Sequence, residues 1–86
     1  MPDKINLFKR LENILRAERD ISEDQTITKD TLFSENLGMD SLDRYEFGLT
    51  VEEKLGMRIP EEKHIELNNL GDYVDYIKSN YLDVYE

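Results

Sequence analysis

The side chains with the clearest chemical potential lie in residues 37–43, Leu-Gly-Met-Asp-Ser-Leu-Asp. Gly38 permits a sharp turn, because glycine adopts positive φ without steric cost. Asp40 is a strong helix N-cap residue, and Asp43 would follow at the third helical position, where a carboxylate suits the free backbone donors and the helix dipole. The pattern predicts a helix that begins at Ser41 and exposes the serine hydroxyl at the mouth of the turn. An ordinary capped helix would show the same pattern.

A serine in this position could be a catalytic nucleophile, but the sequence argues against that chemistry. Nucleophilic catalysis needs a base close to the hydroxyl, and no base lies near Ser41 in the sequence. His64 is the only histidine, and the chain has no cysteine, so we expect neither a metal site nor a thiolate or disulfide. We predict that His64 is a solvated surface residue.

Length and charge limit the class of protein further. The 86 residues form one small domain, 1–86, with one modest core. The formal net charge of −9 would repel a phosphate polymer, so we expect no nucleic-acid binding. Neither a membrane-spanning apolar run nor a signal peptide is evident. These features predict a cytoplasmic monomer that does not insert into membranes and that attracts basic protein surfaces.

The elements before the serine are one helix and a long connection. Helix I is predicted at residues 3–16, where apolar side chains at helical spacing form a core-facing stripe. Residues 17–40 form a polar connection, which at this length should be pinned or functional. Asp30 is predicted to cap a single helical turn that runs through Asn36 and that Gly38 ends. The predicted apolar pins of this connection are Ile21, Ile27, Leu32 and Phe33.

Helix II, predicted at residues 41–55, carries two apolar stripes on nearly opposite sides. We predict that one stripe is core, namely Phe47, Val51 and Leu55. The other would be an exposed patch beside the serine, namely Leu42, Tyr45 and Leu49. Exposed apolar patches with a charged rim commonly mark partner contacts. A helix buried on both stripes is the alternative that the pattern leaves open.

Two further helices complete the predicted fold. Gly56 should end helix II, and Pro60 should be the first position of a short helix III that continues over residues 61–65. Asn69 is a good N-cap for helix IV, with Asp72 at the third helical position. The fold class is therefore all-α, an up-and-down four-helix bundle with three longer helices and one short one.

Residues 33–43 resemble the prosthetic-group attachment site of acyl carrier proteins, whose signature is Gly-x-Asp-Ser-Leu. Ile-Pro at 59–60 and Val-Asp-Tyr-Ile at 74–77 are similar to that family as well, whereas helix I matches in pattern only. The family has the bundle plan predicted above, and the resemblance runs without gaps over residues 33–77. Asp40 is more typical of acyl carriers than of peptidyl carriers, but an aminoacyl or peptidyl carrier and an unmodified interaction module stay as alternatives.

The resemblance implies a carrier and not an enzyme. Ser41, preceded by the motif residue Asp40, would carry 4′-phosphopantetheine, attached from coenzyme A by a phosphopantetheinyl transferase. The cofactor's thiol would then hold acyl groups as thioesters for fatty acid, polyketide or related biosynthesis. We expect the transferase and the acyl-processing enzymes to use their own basic patches to dock onto helix II. The predicted docking surface of helix II consists of Leu42, Asp43, Tyr45, Glu46, Leu49, Glu52 and Glu53.

Three residues depart from the family pattern and suggest a specialised carrier. Arg44 puts a positive charge into a helix that is usually acidic or neutral there. Gly48 lies in mid-helix, where it costs roughly 0.5–1 kcal/mol relative to alanine. Tyr73 is large for its position. We hypothesise that Tyr73 packs toward Gly48 and takes up space of the acyl chain, which would favour short or polar acyl groups. In the alternative, Gly48 faces the surface and Tyr73 lies on the rim.

Overall fold

A computed structural model of the chain describes residues 6–81. Within that range the regular elements are five α-helices, in the order α1 (Leu7–Arg19), α2 (Phe33–Leu37), α3 (Ser41–Leu55), α4 (Lys63–Glu66) and α5 (Leu70–Asn80). Helix α1 contacts both α3 and α5, and α3 contacts α4. The predicted all-α bundle with three longer helices is confirmed. The helical turn predicted before the serine is helix α2, so the described residues contain two short helices, α2 and α4.

Helix α1 begins and ends later than residues 3–16. The Asn6 side chain accepts a hydrogen bond from the backbone N–H of Lys9 at 3.0 Å and caps the helix. Asp20, with φ of 55°, ends it. Residues 3–5 of the predicted helix lie outside the described residues. The side chains of α1 that are buried in the core are Leu7, Leu11 and Leu15, and those at its margin are Phe8 and Ile14.

The connection that follows α1 is pinned at both of its ends. The guanidinium of Arg16 pairs with Glu12 at 2.8 Å and donates to the carbonyls of Ser22 and Gln25 at 2.6 and 2.9 Å. Further along, the carbonyl of Lys29 accepts from the N–H of Gly71 at the start of α5, at 3.0 Å. These bonds compensate the backbone groups of a segment that forms little regular structure.

Apolar side chains hold the same connection down, and one predicted cap is wrong. Ile27 and Phe33 are buried, while Ile21 and Leu32 are half-buried. Asp30 does not cap α2, because Leu32 occupies the N-cap position and no side chain caps the helix there. The Leu32 N–H instead donates to the side-chain oxygen of Asn36 at 2.8 Å, so the first turn is closed from inside the helix.

Three aromatic rings form the centre of the core and come from three different helices. Phe33 of α2 meets Phe47 of α3 edge-on, with ring centroids 5.5 Å apart. Tyr73 of α5 lies 5.2 Å from Phe47 and 5.9 Å from Phe33, and it is fully buried. Burial raises the pKa of Tyr73, so its hydroxyl stays neutral. A rim position for this tyrosine is therefore excluded.

The two stripes of α3 differ in burial largely as predicted. Phe47 and Val51 are fully buried, whereas Leu42 is 61% and Leu49 42% exposed. Leu55 was expected in the core but is only half-buried, because it lies in the last turn of the helix, where the core tapers off. The helix is therefore not sandwiched, and one of its faces is available to solvent.

The helix boundaries after residue 44 depart from prediction mainly at α4. Gly56, with φ of 66°, ends α3 as expected. Helix α4 begins at Lys63 and not near Pro60, whose carbonyl instead accepts from the Lys63 N–H at 2.9 Å and closes a turn. The predicted cap of α5 is confirmed, since the Asn69 side chain accepts from the Asp72 N–H at 2.7 Å.

Arg44 joins α3 to the connection between α4 and α5. One terminal nitrogen donates to the carbonyls of Ile65 and Leu67 at 2.7 and 3.1 Å and to the side-chain oxygen of Asn68 at 2.6 Å. The other reaches the hydroxyl of Ser34 at 3.3 Å. The unusual positive charge in this helix therefore has a structural role, because the planar guanidinium satisfies several acceptors at once.

We expect the burial difference along α3 to appear directly in stability. Phe47→Ala should lower the free energy of unfolding by about 3–5 kcal/mol, because it leaves a cavity in the ring cluster. Leu42→Ala removes an exposed side chain and should change it by about 0.5 kcal/mol or less. Urea unfolding followed by circular dichroism measures both. Equal losses in the two variants would contradict the assignment of the faces.

Arg44→Met should lower the free energy of unfolding by about 2 kcal/mol, because the carbonyls of Ile65 and Leu67 lose a charged donor. Lys54→Met, which removes a positive charge from an exposed position of the same helix, serves as the control and should change little. If both variants unfold at the same urea concentration, Arg44 does not hold α3 to the connection before α5.

Candidate functional site

The candidate site is the start of α3, where the backbone is fixed by two reciprocal hydrogen bonds. The Asp40 carboxylate accepts from the N–H of Asp43 at 2.8 Å, and the Asp43 carboxylate accepts from the N–H of Asp40 at 3.2 Å. This is a capping box, which satisfies donors that a helix start otherwise leaves free. Ser41 is the first helical residue and is exposed, as predicted.

The turn before Ser41 is held on both sides. Gly38 has φ of 67° and donates its N–H to carbonyls of α2, so it ends α2 at Leu37, four residues before the serine. Met39 is buried, with 2% of its surface exposed, and anchors the turn to the core. On the other side, Asp43 forms an ion pair with Arg19 of α1 at 3.0 Å. The serine therefore stands on a rigid support although it is itself accessible.

The surroundings of Ser41 fit a covalently attached phosphodiester. Within residues 6–81 no hydrogen bond engages the Ser41 hydroxyl, so it is available for substitution. A phosphate at this place would lie at the N-terminus of a 15-residue helix, where the dipole and the backbone N–H groups favour an anion. The capping carboxylates do not compete for the hydroxyl, because both are bonded to backbone donors.

The face of α3 below Ser41 leads to His64. Tyr45, Gly48 and Glu52 follow the serine at intervals of four, three and four residues, which places them on one side of the helix. The His64 ring packs against this side. It meets the Tyr45 ring edge-on with centroids 5.3 Å apart, and its Nε2 lies 3.1 Å from a carboxylate oxygen of Glu52.

The prediction of a solvated His64 is wrong, because only 2% of its surface is exposed. A methyl group at residue 48 would overlap the imidazole ring, so the ring occupies the place that a side chain of α3 normally fills. The hypothesis that Tyr73 packs toward Gly48 is wrong, because the side-chain atoms nearest to Gly48 are those of His64; that Tyr73 takes up space of the acyl chain stays a prediction. The signal available in the sequence was Gly48, since a glycine in mid-helix often permits the close approach of another group.

The predicted partner surface divides into free and engaged residues. Leu42, Glu46, Leu49 and Glu53 are exposed. Three other members already have internal partners: Asp43 pairs with Arg19, Tyr45 is half-buried against His64, and Glu52 bonds to His64. A sequence pattern could not separate these groups, because it does not show what packs against α3.

Residues 6–81 contain neither a cluster of metal ligands nor a helix that could span a membrane. No cluster of three or more histidine, cysteine or acidic side chains in that range could hold a metal ion. Likewise, no helix described there is long and apolar enough to cross a membrane.

Comparison with known proteins agrees with the geometry. A family model described as a phosphopantetheine attachment site matches residues 9–77, which include the whole of α3 and the turn before it. The match thus covers the serine, both capping aspartates and most of the core. The chain therefore has the domain to which 4′-phosphopantetheine is attached.

Several curated relatives are called acyl carrier protein, and this chain aligns with them over most of their length. The protein of Treponema denticola is 40% identical over 74 residues, 86% of this chain and 94% of the relative. Those of Borreliella burgdorferi and Helicobacter pylori are 38% and 36% identical over 76 residues, 88% of this chain and 94% and 96% of theirs. With a matching family model and relatives aligned over most of their length, the chain belongs to the acyl carrier protein family.

Proposed function

We propose that Ser41 is the residue that carries 4′-phosphopantetheine in this chain. The observation behind the proposal is an exposed serine hydroxyl, without a hydrogen bond among the described residues, at a helix start that a capping box makes rigid. When attached, the group supplies a flexible arm with a terminal thiol that holds acyl groups as thioesters. The chain itself then acts as a carrier and not as a catalyst.

The residues around the serine have separate tasks in this proposal. Asp40 and Asp43 fix the backbone, so a modifying enzyme meets the hydroxyl in one orientation. Gly38 and Met39 keep the preceding turn short and anchored. No base of this chain is needed, since the proton of the Ser41 hydroxyl is taken up by the transferase.

The partners follow from the exposed part of α3. Acyl carriers work with a phosphopantetheinyl transferase and with acyl-processing enzymes, and we propose that basic patches of those enzymes dock beside Ser41. The exposed carboxylates of Glu46 and Glu53 supply the charge, and Leu42 and Leu49 supply an apolar contact. We propose that this docking takes place in the cytoplasm, where coenzyme A serves biosynthesis. We also propose that the carrier is a monomer that consists of a single domain.

Incubation with coenzyme A, Mg²⁺ and a broad-range transferase should add the mass of one phosphopantetheine to the wild type. Ser41→Ala should gain nothing, because the acceptor hydroxyl is missing. Ser79→Ala removes an exposed serine of α5 and should be modified like the wild type. Intact-protein mass spectrometry reads all three. Modification of Ser41→Ala would place the site elsewhere, and an unmodified wild type would favour an interaction module without the arm.

Glu46→Lys should slow association with the transferase several-fold at low salt, because it reverses a charge on the docking face. Asp75→Lys makes the same change on an exposed position of α5 and is the matched control. Stopped-flow measurements over a range of salt concentration should show the difference shrinking as screening increases. Equal rates for the two variants at low salt would contradict docking on α3.

A further inference from the structure

A cargo attached through Ser41 reaches the interior most directly along the face of α3 below it. That face carries Tyr45, Gly48 and Glu52. Tyr45 and Glu52 line a groove of about 560 Å³ together with His64, Arg58 and Tyr76. A long alkyl chain gains free energy by leaving water, so it would enter the core if this face were open. What lies on the face therefore decides which cargo the carrier can shelter.

His64 occupies the one place on this face where α3 presents bare backbone. The ring lies so close to Gly48 that even a methyl group there would overlap it. Glu52 holds the ring through Nε2 at 3.1 Å, and Tyr45 covers it edge-on. Nδ1 is buried without a hydrogen-bond partner among the described residues. Nδ1 is also the ring atom nearest to the point where a Cβ at residue 48 would stand, so the unpaired nitrogen faces the bare backbone of Gly48.

The space deeper in the core is filled as well. The rings of Phe33, Phe47 and Tyr73 lie in mutual contact, with centroids 5.2 to 5.9 Å apart. Tyr73 and Phe47 are fully buried, and cores at this density do not yield space without moving side chains. An alkyl chain that entered the core would have to displace these rings.

We propose that His64 closes the interior of this carrier to its cargo and thereby makes it a carrier of short acyl groups. A short acyl group can remain in the groove outside the ring, which is lined by polar side chains, among them Glu52, Arg58 and Tyr76, and by the apolar side chains of Leu49, Ile59 and Pro60. A long alkyl chain stays in solvent and is not sheltered. This inference rests on the proposed attachment at Ser41, and it adds a specificity-determining residue to it.

The test compares two cargoes on the same protein. Butyryl and palmitoyl forms are made with a broad-range transferase from the corresponding coenzyme A thioesters, and mass spectrometry checks the loading. In the wild type the palmitoyl form should melt no higher than the butyryl form. His64→Ala opens space beside Gly48, so its palmitoyl form should melt several degrees above its butyryl form. Ile65→Ala, an exposed neighbour on α4, should behave like the wild type.

Each outcome has one meaning. Failure of loading would overturn the attachment at Ser41 and not the closure of the core. A wild type stabilised by palmitate more than by butyrate would overturn the closure, and so would a folded His64→Ala without dependence on chain length. If His64→Ala does not fold, amide chemical shifts of the wild type decide. The shifts of Phe47, Val51 and Tyr73 should be the same with both cargoes, and differences there would show that the chain enters the core.

Discussion

The mutual contact of three rings, Phe33, Phe47 and Tyr73, is the interaction on which the arrangement of this protein depends. Each ring comes from a different helix, and α2 is too short to hold its place by its own hydrogen bonds. Edge-to-face contact fixes the relative orientation of the helices as well as their distance. Because α2 ends just before the serine, the ring cluster also determines where the start of α3 lies.

Features that depend on neighbours in the sequence could be predicted, and features that depend on distant residues could not. Gly38, Asp40 and Asp43 act within one turn, so the start of α3 followed from the residue types alone. The burial of His64 depends on a glycine far along the chain, and a lone histidine carries no sign of that contact. Arg44 was recognised as unusual, but its carbonyl partners follow only from how α4 and α5 are placed.

Charge in this protein serves two purposes on one helix. Asp43 and Glu52 are tied to Arg19 and His64 and so belong to the internal structure. Glu46 and Glu53 are exposed and have no ion-pair partner within residues 6–81, and they give the exposed face its negative sign. The net charge of −9 therefore does not show which carboxylates a partner meets, since recognition depends on the exposed ones that have no partner within residues 6–81.

The bare backbone of Gly48 has a consequence for how this sequence can diverge. Any side chain at that position overlaps the ring of His64, so a larger residue there is accepted only together with a smaller one at position 64. The two positions are thus energetically coupled. Among homologous chains, a larger residue at position 48 should therefore occur together with a smaller residue at position 64. Such an exchange would remodel the interior while leaving the serine and its helix cap untouched, so carriers with identical motifs can differ in what they hold.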